Sequence, residues 1–312
     1  MMENIAVLGS GTMGHSIALS VAWANYKVKV YSINLEDLKR AETEIDKKVL
    51  LLYKNDLISD VQMQNIKNNI TLDTDIEAVV EDTTFIIEAV PEDLTIKSEL
   101  YEKLNALLDE KTILASNTSG FTLQQLTKNY KFPNHFIITH FWNPAHLVPL
   151  VEIVKNEDTD IETVARTENV INAIGKKPIL IQKEISGFIG NRLQYALFRE
   201  AQSLLDQGVA SKEDIDAAVT YSVGRRYPVV GPLMTADLGG LDVFSAISDY
   251  LFEDLSTEKA SGKTLNKHVD EGNLGYKTGK GFYDWGESES QEIIDKRDEV
   301  LMYFLKKDQE NK

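Results

Sequence analysis

The sequence predicts an α/β fold: an N-terminal doubly wound, mostly parallel sheet joined to an all-α C-terminal domain. Three observations carry this. In the first half, short apolar runs alternate with helix-length segments, the pattern of parallel strands joined by crossover helices. The first apolar run ends in glycines. Beyond Ile185-Ser186-Gly187 only helical periodicity remains. A length of 312 residues suits two domains. The change of character places them at residues 1–185 and 186–312.

Each element follows from local pattern. Ile5-Ala6-Val7-Leu8 reads as a strand covered on both faces, since such a strand is continuously apolar rather than alternating. Residues 12–25 read as a helix, Val28-Lys29-Val30-Tyr31 as a second strand, and 35–69 as one long helical stretch with lysines and glutamates on its solvated face. Strands follow at 85–90, 113–115, 136–139, 150–154 and 178–181, with helices at 93–109 and 160–174. In the second half, Phe188, Leu193, Ala196, Leu197, Ala201, Leu204 and Leu205 recur at spacings of three and four, an amphipathic helix. Ser211 with Glu213 and Asp214 marks the N-cap and acidic first turn of the next helix. The charged stretch 287–312 reads as one exposed or docked helix.

Composition excludes several classes. At 43% hydrophobic and 26% charged, the chain can bury a core and is not disordered. A formal charge of −16 argues against gripping a nucleic-acid backbone, while leaving a locally bound small anion open. With no cysteine there is no disulfide, thiolate nucleophile or cysteine–metal site, and no metal is expected. The N-terminus lacks a signal-peptide pattern, and no apolar stretch reaches membrane-spanning length. A cytoplasmic protein with no membrane partner is the expectation.

Gly9-Ser10-Gly11-Thr12-Met13-Gly14 is a G-x-G-x-x-G between a predicted strand and a predicted helix. In that context the first glycine makes the tight turn, the second lets a pyrophosphate approach, and the third lets helix and strand pack closely. The helix N-terminus offers free N–H groups to the phosphates. This is a Rossmann-type dinucleotide site, with Gly9, Gly11, Thr12, Met13 and Gly14 as cofactor-binding residues. Serine (Ser32) ends the second strand, where an acid usually binds the adenine ribose. Ser32 can still hydrogen-bond a ribose hydroxyl, and no arginine beside it would hold a 2′-phosphate, so NAD is the expected cofactor.

Two further segments end strands, where ligands of open α/β sheets bind. One is Ala115-Ser116-Asn117-Thr118-Ser119, which alone reads as a helix-capping turn; the other is Thr139-His140-Phe141-Trp142-Asn143-Pro144. Glu152 lies on the following strand. If those strands are neighbours, a carboxylate on one ring nitrogen of His140 fixes the tautomer and makes the other nitrogen a better base. Of the remaining histidines, only His146 shares that loop; His15, His135 and His268 read as packing or surface residues.

These motifs, with Glu88-Ala89-Val90-Pro91-Glu92-Asp93-Leu94, Gly187-Phe188-Ile189-Gly190-Asn191-Arg192, Gly231-Pro232-Leu233 and Lys277-Thr278-Gly279-Lys280-Gly281-Phe282-Tyr283, make the sequence resemble the L-3-hydroxyacyl-CoA dehydrogenases up to about residue 286. The resemblance implies a general base, His140, oriented by Glu152. It implies Ser116 hydrogen-bonded to the substrate, Asn191 holding histidine and substrate, and Glu92 and Lys97 near the nicotinamide. It implies a short-chain 3-hydroxyacyl-CoA as the small-molecule substrate, and a homodimer formed by the helical domain. Some features depart from that pattern. Lys47, Lys48, Lys54 and Lys67 lie among acids in the stretch where the family carries lysines toward CoA. Gly224-Arg225-Arg226-Tyr227-Pro228 resembles relatives that oxidise free hydroxy acids of the carnitine or gulonate type. A dinucleotide-binding protein without turnover is the third reading.

Overall fold

The computed structural model describes residues 3–310. One eight-stranded sheet runs β3 (Ile70–Asp73), β2 (Val28–Tyr31), β1 (Ile5–Leu8), β4 (Phe85–Glu88), β5 (Ile113–Ser116), β6 (Phe136–Phe141), β7 (Leu150–Val154), β8 (Lys177–Ile181). Every neighbouring pair is parallel except β6 with β7. The strand order reverses between β3-β2-β1 and β4 onward, which makes the crevice above β1 and β4 the expected ligand site.

Both faces of the sheet are covered, which explains its continuous apolar strands. Ile5 and Val7 of β1 face one core and Ala6 and Leu8 the other. The first core takes α1 (Thr12–Trp23), α2 (Leu35–Lys54), α3 (Asp60–Asn68) and α7 (Ile161–Ala173). The second takes α4 (Ile76–Val80), α5 (Leu94–Leu107) and α6 (Leu123–Leu126).

Two local expectations change. The stretch 35–69 is two helices, broken where Asp56 turns left-handed at φ +55° and Ser59 caps α3 in a reciprocal box with Gln62. The edge strand β3 was not foreseen; its residues are only half-buried, so it lacks the apolar run that marks the central strands.

Contacts divide the chain into two units, one up to Ile189 plus the residues from Lys296 on, the other Gly190–Asp295. The second unit is helical: α8 (Gly190–Asp206), α9 (Lys212–Thr220), α10 (Val223–Arg226), α11 (Pro232–Gly239), α12 (Leu241–Asp254) and α13 (Lys263–Asp270). Ser211 caps α9 as expected, accepting from the Asp214 N–H. The apolar stripe of α8 is not core in the chain alone, with Leu193 56% exposed. The last helix, α14 (Glu287–Glu310), returns its C-terminal part to the first unit, where Met302 and Leu305 join the core of α1. This differs from the boundary expected from sequence, which places residues 186–312 in one helical domain.

After β6 a cis Asn143–Pro144 bond turns the chain and His146 is buried against α1, its Nδ1 2.8 Å from Ser16 Oγ. His146 is thus a packing residue. Burial, aided by the positive charges of Lys48 and Lys176, pushes its pKa down to about 3.

Met302→Ala should cost about 2–4 kcal/mol in urea unfolding, because it empties a closed site between α1 and the returning helix. Between pH 6.5 and 3 the unfolded chain protonates residue 146 while the folded chain does not, so stability falls as pH falls. The loss between pH 7 and 5 should be about 2 kcal/mol. His146→Asn should flatten that slope; His15, also lowered mainly by burial, adds a smaller effect of the same sign.

Candidate active site

The glycine loop is built by three different constraints. Gly9 has φ +103°, and a Cβ there would stand 2.6 Å from the Ala89 carbonyl oxygen on the neighbouring strand end. A Cβ on Gly14 would stand 1.7 Å from the Gly9 carbonyl oxygen, so helix and turn could not meet. A Cβ on Gly11 meets nothing within 4 Å. Gly11 is the N-cap of α1 and no side chain caps the helix there. Open space above an uncapped helix N-terminus fits a dinucleotide pyrophosphate. Thr12 and Met13 form the first turn beneath it.

Ser32 does not offer the contact expected of it. Its backbone N–H donates to Asp73 on β3, and its hydroxyl is enclosed without a hydrogen-bond partner.

Beside the glycine loop, Glu88 ends β4 as a fully buried carboxylate. Burying a charge is costly unless its lone pairs are satisfied, and here they are. Lys97 Nζ lies 2.8 and 3.0 Å from its two oxygens. Tyr101 and Ser116 donate their hydroxyls to Oε2 at 2.7 and 2.6 Å, and the Val90 N–H donates to Oε1 at 2.8 Å. Burial, with the Glu88 charge beside it, raises the Tyr101 phenol well above its ordinary pKa and keeps it a donor. Lys97 is 1% exposed and is not free to grip an anion. Ser116, expected at the substrate, is likewise closed off and bonded to Glu88.

Ser119 takes the place expected of Ser116. Asn117 accepts from the Phe141 N–H, and Glu92 Oε1 accepts from Thr118 Oγ1, the Ser119 N–H and the Gly120 N–H at 2.6, 2.9 and 3.2 Å. The turn so held sets the exposed Ser119 hydroxyl 3.2 Å from His140 Nε2. The spacing of the turn alone did not distinguish the two serines. Strand alternation puts Ser116 inside the sheet, and only its pairing with Ile138 and Glu88 shows which serine the loop leaves outside.

The antiparallel register pairs His140 with Glu152. His140 Nδ1 donates to Glu152 Oε2 at 2.8 Å, so Nε2 is the basic nitrogen of the neutral ring. Glu152 is fully buried; Trp142 Nε1 donates to Oε2 at 3.2 Å and the Ile189 N–H to Oε1 at 2.9 Å. Trp142, given no role from sequence, thus holds the carboxylate that holds the base. Phe188 and Trp142 flank the imidazole with ring centroids 5.3 and 5.7 Å away. Asn191 lies in the first turn of α8 in the helical unit, half-buried.

Of the lysines expected near a CoA, Lys47 and Lys48 share Glu44 within α2, and Lys67 of α3 pairs with Asp46 of α2 at 2.7 Å. Arg225 stacks on Tyr221 at 5.0 Å, and neither it nor Arg226 forms an ion pair among the described residues. No helix among the described residues is long and apolar enough to cross a membrane.

Comparison with known proteins identifies the family. The NAD binding domain of 3-hydroxyacyl-CoA dehydrogenase matches residues 4–185 and the C-terminal domain of the same enzyme family matches 187–285. The chain is 33% identical over 282 residues to the 3-hydroxybutyryl-CoA dehydrogenase of Clostridioides difficile, covering 90% of this chain and 99% of that one. It is 31% identical over 283 residues to the 5-formyl-3-hydroxy-2-methylpyridine 4-carboxylate 5-dehydrogenase of Mesorhizobium japonicum, covering 91% of each. A crystal structure of an enzyme of that activity, an NAD+-dependent dismutase, superposes with a TM-score of 0.90 at 30% identity over 96% of each chain. With the glycine cradle and the matching NAD-binding domain, the cofactor is NAD. The chain belongs to the 3-hydroxyacyl-CoA dehydrogenase family and is an NAD-dependent oxidoreductase.

Proposed function

We propose that the chain interconverts an L-3-hydroxyacyl-CoA and the 3-oxoacyl-CoA, with His140 as general base. The observation that carries this is the Glu152–His140 pair at 2.8 Å with Nε2 turned to Ser119. The substrate hydroxyl gives its proton to Nε2 as the carbinol carbon loses hydride and becomes a carbonyl. NAD, when bound, supplies the hydride acceptor. Glu152 stabilises the imidazolium that results, and Ser119 orients the reacting oxygen from the other side of Nε2. In the reverse direction imidazolium returns the proton to the developing alkoxide. Asn191 is read as a further contact to substrate, and Glu92 as part of the nicotinamide side. An idle binding module has no need of an oriented base.

A second reading has a specific observation in its favour. With Lys47 and Lys48 engaged by Glu44 and Lys67 by Asp46, and Arg225 and Arg226 without acid partners among the described residues, the charge distribution suits a small free acid as well as CoA. The close structural likeness to a dehydrogenase named for a pyridine carboxylate points the same way. Assays with acetoacetyl-CoA and NADH, against free hydroxy acids and aromatic aldehyde acids with NAD, separate the two readings; turnover on acetoacetyl-CoA alone supports the first. The apolar surface left on the helical unit, with Val229 82% and Leu233 83% exposed, supports a homodimer, which light scattering of the purified protein checks.

His140→Gln should lower kcat roughly 10²- to 10⁴-fold with little change in NADH affinity. Ser119→Ala should cost more in kcat than Ser116→Ala, read by steady-state kinetics. Gly11→Ala should keep the wild-type melting temperature but lose NADH affinity roughly tenfold or more, since its Cβ enters only the phosphate approach. Gly14→Ala should fail to fold normally, as seen by circular dichroism, because its Cβ overlaps the Gly9 carbonyl.

A further inference from the structure

The end of β4 gathers more carboxylate than cation. The Lys97 ammonium is shared, 2.8 Å from Glu88 Oε1 and 3.5 Å from Glu92 Oε2. No second ammonium or guanidinium lies within ion-pair distance of either acid among the described residues. Asp93 is taken up by the first turn of α5, accepting from the Thr95 and Ile96 N–H groups. Glu88 is enclosed, whereas the Glu92 side chain is 44% exposed. The pair of acids with one lysine therefore has a formal charge of −1, and its outward end is Glu92.

Glu92 also holds the turn that carries Ser119 to His140. Hydride and proton leave from one carbon and its own oxygen. With the oxygen about 3 Å from Nε2, bonded to its carbon, and the hydride acceptor about 3.5 Å from that carbon, the acceptor atom lies within roughly 8 Å of Nε2. That is beside the turn held by Glu92. The placement rests on the reading of His140 as the base.

A nicotinamide ring is a cation when oxidised and neutral when reduced. An unbalanced carboxylate beside it interacts favourably with the first and hardly with the second. We propose that Glu92 determines the preference between the two redox forms, tilting binding toward NAD+ over NADH through the uncompensated charge of the Glu88–Lys97–Glu92 cluster. Its partial exposure limits the effect to roughly three- to tenfold.

The test measures dissociation constants of NAD+ and of NADH by calorimetric titration of the full-length protein, with no substrate present. Glu92→Gln retains an oxygen to accept from the 119–120 backbone and removes the charge. It should raise Kd for NAD+ three- to tenfold and leave Kd for NADH within about twofold. A tenfold change in that ratio is about 30 mV in the potential of the bound two-electron couple. Glu92→Asp should bring the ratio back, and Thr118→Val, which removes a hydrogen bond and no charge, should leave it unchanged. Equal weakening of both forms by Glu92→Gln, or an unchanged ratio, overturns the proposal. Failure of His140 as base is read separately, as wild-type turnover in His140→Gln.

Discussion

The arrangement of the candidate site depends on one reversal of strand direction. β6 runs with the five strands before it in the sheet, and β7 runs against it. Because the connection is short, the residues near the end of β6 meet the residues near the start of β7, and His140 stands opposite Glu152. A further parallel strand would have required a long crossover and would have brought its C-terminal end, not its N-terminal end, beside His140. The reversal thus sets Glu152 against His140, whose Nδ1 it holds while Nε2 is turned to Ser119.

The other organising demand is the burial of two carboxylates at strand ends. Glu88 and Glu152 are both fully enclosed, and each is surrounded by donors drawn from several elements. Glu88 ties β4 to α5 and β5 through Lys97, Tyr101 and Ser116, and to the Val90 backbone, in the turn that Gly9 packs against. Glu152 ties β7 to Trp142 and to the Ile189 N–H. Removing one donor from such a group leaves a desolvated lone pair, so these networks constrain geometry more than they add net stability. The base near the end of β6 and the glycine loop after β1 are thereby carried at strand ends of one sheet, with β4 and β5 between them.

The fold class and the glycine loop were legible in the chain because each is a local pattern, whereas the His140–Glu152 pair was legible only on the condition that β6 and β7 are neighbours. Continuous apolar runs mark strands covered on both faces, and a glycine needed at a close approach has no substitute. The break between α2 and α3 was legible too, in the Ser59–Gln62 capping box, but the helical periodicity on either side outweighed it. The edge strand β3 was not, since half-buried strands of four residues have no distinctive composition. Nor was the return of the C-terminal helix to the first unit. Met302 and Leu305 differ from any other apolar pair on a charged helix only in what they pack against.

The sequence by itself determined that a strand-turn-helix cradle for NAD stands at the N-terminus, and that an imidazole and a carboxylate would meet if two strands paired. Those features depend on backbone sterics and on residue periodicity, which neighbours in the chain set. Tertiary structure alone decided which serine reaches His140, that Lys97 is locked to Glu88, and that the Ser32 hydroxyl is enclosed. Each of these is a choice among side chains of equal chemistry. It is made by strand register and by the need of a buried charge for partners distant in sequence.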